Sequence, residues 1–238
     1  MALRPVDEVV EHLLSKVRPL KSTEVRPLAE ALDCCLAENI VSPVNVPPAD
    51  NSAMDGYALA FDATLTQDVY EVSDRIPAGS VGSRLKSGTV ARIFTGAEIP
   101  EGADTVVMQE NTASEGEAVR IIHKPAKTDN VRSKGQDILF GATILKAGSR
   151  LSPRALSLIA SVGIPEVSVK TPLKIAILST GDELVEPGGH LKPGQIFNSN
   201  RYALAGLIRK IGMIPVDFGI VADTPEATDD ALMRAAMA

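Results

Sequence analysis

Four short stretches hold side chains whose types and spacing could do chemistry. The first is Pro47-Pro48-Ala49-Asp50-Asn51-Ser52-Ala53-Met54-Asp55-Gly56-Tyr57. Its two prolines exclude a helix interior and force an extended approach. Gly56 permits a backbone course that few residues tolerate. Such a loop could present Asp55 rigidly, although Asp50, Asn51 and Ser52 also suit plain turn closure. The second stretch is Phe94-Thr95-Gly96-Ala97, a strand running into a glycine turn. Thr95 could donate its hydroxyl to an anion there, or simply end a hairpin. The third, Arg132-Ser133-Lys134-Gly135-Gln136-Asp137, closes a cationic run with Arg120, His123, Lys124 and Lys127. In an acidic chain a positive patch would tolerate an anionic ligand; a solvated loop is the alternative. The fourth is Ser179-Thr180-Gly181-Asp182-Glu183-Leu184, directly after an apolar strand pattern. Gly181 would let backbone amides approach a phosphate, and Asp182 and Glu183 are oxygen donors suited to Mg²⁺. A plain turn is the competing reading.

Other chemistries are poorly supported. The fourth stretch is neither GxxxxGK[ST] nor GxGxxG. His12, His123 and His190 are scattered without ligand spacing, and no Ser/His/Asp or Cys/His arrangement is visible. A net charge of −6 without a basic block, and an aromatic share of only 3%, argue against nucleic-acid binding. No apolar run is long enough to span a membrane. The N-terminus reads as an amphipathic helix rather than a signal peptide. Cys34 and Cys35 fit buried small residues in a reducing compartment, which predicts a cytoplasmic protein.

The elements that must position these stretches follow from periodicity. A first helix is expected over 5–17, with Val6, Val9, Val10, Leu13, Leu14 and Val17 on one stripe. A second is expected over 27–37, then a strand over 38–46 centred on Asn39-Ile40-Val41-Ser42. From Tyr57 to about Ile138 the helical period gives way to short apolar runs between turn signals, the pattern of a compact all-β domain. Ser152-Pro153 starts a helix that Gly163 stops. Beyond Pro172 the chain reads strand, glycine loop, helix and strand, a βαβ seed of a parallel sheet. Asn198, Ser199 and Asn200 are candidate caps for that helix, and Asp223-Thr224-Pro225-Glu226 opens another. Two strands cannot bury the apolar faces of a parallel sheet, so this α/β domain is expected to be incomplete within the 238 residues.

Taken together, DNSAMDGYA, RIFTGAEIPEGADTVVMQE, VRSKGQDI, ILSTGDEL and GQIFNSNRYAL resemble the MoeA / gephyrin E-domain family. The resemblance is specific and covers nearly the whole chain. It implies a multidomain α+β and α/β protein. The expected parts are a discontinuous helix-plus-strand domain (1–46 and 138–172), an inserted β-rich domain (47–137) and a truncated Rossmann-like molybdopterin-binding domain (173–238). It further implies molybdenum cofactor biosynthesis: insertion of molybdate into adenylylated molybdopterin with release of AMP, assisted by Mg²⁺. A cytoplasmic homodimer is implied, with other enzymes of the pathway as further partners. Residue by residue, the family's catalytic positions fall on Asp55, Thr95, Glu183 and Asp223. Glu183 and Asp223 are implied as Mg²⁺ ligands, and Asp137, Gly181, Asp182, Asn198 and Asn200 as substrate contacts. The alternative is an inactive fragment or paralogue that dimerises as a scaffold.

Overall fold

In a computed structural model, residues 5–64 and 68–237 are described. The chain divides into two compact units. One comprises Met1–Glu38, Lys146–Ser157 and Pro165–Ala238; the other comprises Asn39–Leu145 and Leu158–Ile164. The mixed helix-and-strand, multidomain architecture expected from the sequence is present.

The first unit opens with helix α1 (Val6–Lys16), whose whole apolar stripe is exposed. Strand β1 (Thr23–Pro27) follows, then a 3₁₀ turn at Leu28–Glu30. The helix expected over 27–37 is therefore absent. Its spacing matched a helix, but Asp33 adopts a left-handed φ of 62° that an α-helix does not admit. Cys35 and Leu36 instead bridge to Arg150 and Val169. Tertiary pairing overrode a weak local preference. Cys34 and Cys35 are half-buried free thiols, not the buried small residues the sequence suggested.

The second unit begins with β2 (Ile40–Val41), β3 (Asn51–Ser52) and β4 (Gly56–Leu59). A short helix α2 (Phe61–Thr64) leads to β5 (Val69–Ile76) and β6 (Val90–Ile93). Then come β7 (Thr105–Met108), β8 (Thr112–Glu115), β9 (Ala118–Ile121), β10 (Val131–Arg132) and β11 (Thr143–Leu145). Six of these form one sheet in the order β7-β4-β6-β5-β9-β8. All its pairings are antiparallel except β5 with β6. Strand alternation sends side chains to two cores. Ala58, Ile76, Ala91, Ile93 and Val106 fill one; Leu59, Tyr70, Val90, Val107, Val119 and Ile121 fill the other.

Helix α3 (Pro153–Ser161) starts where the sequence places it, with the Ser152 hydroxyl accepting from the Ala155 amide at 3.3 Å. Strand β12 (Glu166–Lys170) then pairs antiparallel with β1. The βαβ unit is β13 (Lys174–Thr180), α4 (Asn200–Lys210) and β16 (Ile214–Val221), with β13 and β16 parallel. Between them β14 (Leu184–Val185) and β15 (Ile196–Phe197) make a small parallel ribbon, too short for periodicity to reveal. Helix α5 (Pro225–Met237) also packs against both long strands. Thr224, not Asp223, supplies its capping hydroxyl, accepting from the Ala227 amide at 3.2 Å. None of the three candidate caps serves α4: Ser199 holds the cap position without a side-chain hydrogen bond.

Gly56 is the tightest point of the sheet. A Cβ there would lie 1.9 Å from the Val107 carbonyl oxygen, which is backbone and cannot swing away. Gly56→Ala should therefore destabilise the protein by about 3 kcal/mol through overpacking. Urea unfolding checks this; a loss under about 1 kcal/mol would mean that β4 and β7 part without cost.

Candidate active site

The expected site residues fall into two groups in different compact units. In the second unit, Asp55 and Thr95 meet. Asp55 immediately precedes β4, and Thr95 follows β6 by two residues. The antiparallel register sets Gly56 against Ile93, which draws the two loop ends together. Asp55 Oδ1 accepts the Thr95 amide at 2.8 Å and the Thr95 hydroxyl at 2.7 Å. The turn beyond is completed by Gly96 at φ 84°. These bonds hold the Asp55 carboxyl below the usual carboxylate range; the Thr95 amide contributes most, then its hydroxyl, with the Arg92 guanidinium adding a smaller pull.

Asp137 belongs to the same unit. Its carboxylate accepts from Arg132 at 2.6 Å, and its amide donates to the Val46 carbonyl. The cationic run read from the sequence is largely neutralised. Arg120 pairs with Glu115, Lys124 with Asp68, Lys127 with Asp62 and Arg132 with Asp137. It is not the open positive patch that an anionic ligand would seek.

The second group surrounds the carboxyl ends of β13 and β16, where α/β sheets bind ligands. A cavity of about 340 Å³ is lined there by Ser179, Thr180, Glu183, Asn198 and Asn200 among others. Gly181 and Asp182 lie in the turn beside it without lining it. Gly181 has φ 142°, and a Cβ on it would meet the Glu183 carboxylate at 2.5 Å. A side chain at 181 would have to displace the flexible end of Glu183. Asn198 is buried, its amide nitrogen donating to Glu186 at 3.3 Å and its oxygen facing the Ser179 hydroxyl at 3.4 Å. Glu186 is held in turn by Arg201 at 2.6 Å, and Arg201 is also paired with Asp217. Sequence reasoning named Asn198 but missed the network behind it, because Glu186, Arg201 and Asp217 are ordinary charged residues without a motif. Asp223 stands two residues past β16, whose Val221 is in register with Thr180, so it lies at the same end of the sheet as Glu183. Among the described residues, no three His, Cys, Asp or Glu side chains converge on a metal position.

Comparison with known proteins places this geometry. The family described as "MoeA N-terminal region (domain I and II)" matches residues 4–163. The chain belongs to the MoeA family. A second family, "Probable molybdopterin binding domain", matches residues 176–238 and so includes the Glu183 cavity. The chain is 38% identical over 232 residues to a molybdopterin molybdenumtransferase of Haemophilus influenzae, covering 97% of itself and 57% of that protein. It is 39% identical over 240 residues to the one from Nostoc, covering 98% and 55%. The chain thus spans a little over half the length of these curated relatives. A crystal structure of the molybdopterin biosynthesis MoeA protein of Pyrococcus horikoshii superposes with a TM-score of 0.91 at 31% identity, over 99% of this chain and 64% of that one.

Because folding lowers the affinity of Asp55 for its proton, its bonds to Thr95 stabilise the fold above the unfolded aspartate value. That contribution is lost as pH falls through the lower folded value. Thr95→Val removes the smaller of the two Thr95 contributions. In a carboxyl-carbon NMR titration, Asp55 should then titrate higher than in wild type, yet still below an ordinary aspartate. An unchanged midpoint would show that the hydroxyl does not act on the carboxylate.

Proposed function

We propose that the chain serves molybdenum cofactor biosynthesis as the catalytic N-terminal portion of a molybdopterin molybdenumtransferase. In this reading it takes part in inserting molybdate into adenylylated molybdopterin, with release of AMP. The observation that carries it is the Glu183 cavity at the carboxyl end of a parallel strand, within the segment that matches a molybdopterin-binding domain. Names of the similar proteins support the same reaction. The chain is read as three domains: 1–46 with 138–172, 47–137, and 173–238. The match of a two-domain family to 4–163 supports this division.

The residues suggest distinct duties. A carboxylate held well ionised is a weak general base, so Asp55 acts as an oriented acceptor rather than a proton shuttle. Thr95 spends its amide and hydroxyl on keeping that acceptor in place. Glu183 lines the cavity, with Asn200 at the start of α4 as a further polar lining residue. Asp182 and Gly181 shape the turn, the buried Asn198 stiffens the wall, and Asp137 holds Arg132. Mg²⁺ commonly binds through one or two carboxylates plus substrate phosphates, and the all-oxygen donor set of Glu183 and Asp223 fits that habit. When bound, it would neutralise charge on a leaving phosphate.

The protein is read as cytoplasmic and homodimeric, with other enzymes of the pathway as partners. The exposed stripe of α1, with Val6 76%, Leu14 66% and Val17 68% accessible, supports a second copy as a partner. It is also what favours the second reading, a dimerising scaffold without catalysis. No described helix is long and apolar enough to cross a membrane.

In a protein that contains this chain, Asp55→Ala and Glu183→Ala should each lower molybdenum insertion into the pterin by about a hundredfold, the scale of losing one preorganised electrostatic contact. The measurement is molybdenum bound to pterin per unit time. Full activity in both variants would reject the catalytic roles given to Asp55 and Glu183.

A further inference from the structure

Two guanidinium groups converge beside Asp55 and Thr95. Strands β5 and β6 run parallel with Arg75 opposite Arg92, and β4 sets Tyr57 opposite Arg92 on the other side. Equal register puts Arg75, Arg92 and Tyr57 in one row on one face of the sheet. Phe94, one residue past β6 and two from Arg92, continues on the same face, its ring against both guanidiniums. Extending the β4–β6 register by one residue sets Asp55 beside it. The Arg75 guanidinium lies 4.8 Å from the centre of the Phe94 ring, and that of Arg92 lies 4.6 Å from it and 5.2 Å from the Tyr57 ring.

Neither arginine forms an ion pair among the described residues, unlike the cations of the neighbouring run. Among the described residues Arg92 donates only to neutral acceptors: the Gly56 carbonyl at 2.9 Å, the Ile93 carbonyl at 3.4 Å and Gln109 Oε1 at 2.6 Å. Arg75 is exposed, and its guanidinium lies against the ring. Two like charges on one ring repel each other; the negative ring face offsets part of that, and a bound anion would offset far more. A tetrahedral oxyanion matches the fork of donors that guanidinium presents.

We propose that Arg75 and Arg92 form an anion subsite next to the Asp55–Thr95 pair, taking a phosphate group of the ligand bound there, which becomes the monoester of AMP on release. The proposal rests on the reading of Asp55 and Thr95 as one edge of the reaction centre. It adds what that edge lacks: positive charge that lets an anion approach an ionised aspartate. Phosphate esters and free molybdate share the tetrahedral oxyanion, so the test separates them.

The chain is titrated with AMP, inorganic phosphate and sodium molybdate, followed by the arginine side-chain NMR signals. AMP and phosphate should shift the Arg75 and Arg92 signals, and Arg75→Gln should weaken both by about fivefold, as expected for one charge-assisted contact at a partly exposed site. Arg75 carries the test because Arg92 also braces Gly56. The salt dependence of binding should fall in the same variant. Unchanged affinity in Arg75→Gln, or binding of molybdate alone, would overturn the proposal. Arg75-dependent phosphate binding alongside full molybdenum insertion by both Asp55→Ala and Glu183→Ala would instead reject the roles given to those residues and leave the subsite standing.

Discussion

A single backbone contact governs the β-rich unit. The carbonyl of Val107 fills the space that a side chain at residue 56 would need. Only with glycine there can β4 lie between β6 and β7 at this distance. Much follows from that fit. The strand carries Asp55 on its leading edge, and its register against β6 brings Thr95 to it. The Gly56 carbonyl is also the acceptor that fixes Arg92. A cramped backbone position and a chemically useful carboxylate are thus neighbours because one produces the other.

The α/β part works differently. Its parallel pair supplies a direction, with loops at the carboxyl ends and helices on the faces. The cavity wall is tied down by polar contacts running from Asn198 through Glu186 to Arg201 and Asp217. Burying an amide is tolerable when both its ends are engaged, and Asn198 meets that condition. Order in this region comes from hydrogen bonds and ion pairs as much as from packing, because the only buried apolar side chains of β13, β16, α4 and α5 are Ile177, Val221 and Ala231.

Legibility in the sequence followed range of interaction. Turn and cap chemistry acts over a few residues, so the Ser152 cap and the stop at Gly163 could be read directly. The βαβ order was equally plain, since buried parallel strands are nearly continuous apolar runs. The segment 27–37 misled because its apolar spacing is helical while its partners, near Arg150 and Val169, lie far along the chain. Asp55 and Thr95 were recognisable from family-like phrases, but their bond was not. Arg75 and Arg92 were invisible as a pair, since only the β5–β6 register makes them neighbours. The cationic run misled in the opposite sense, as composition does not show which charges are already spent on one another.

The sheet order β7-β4-β6-β5-β9-β8 has a consequence for how the protein is made. Among neighbouring strands only β8 and β9 are joined by a tight turn; every other adjacency closes a longer loop. A sheet of this kind cannot zip outward from one hairpin, and chains dominated by such distant pairings fold slowly. The strands that create the Asp55–Thr95 bond are among those that must find each other across the chain. A partly assembled sheet would therefore have no rudimentary site with which to trap a ligand prematurely. Ligand recognition and completion of the fold would arrive together.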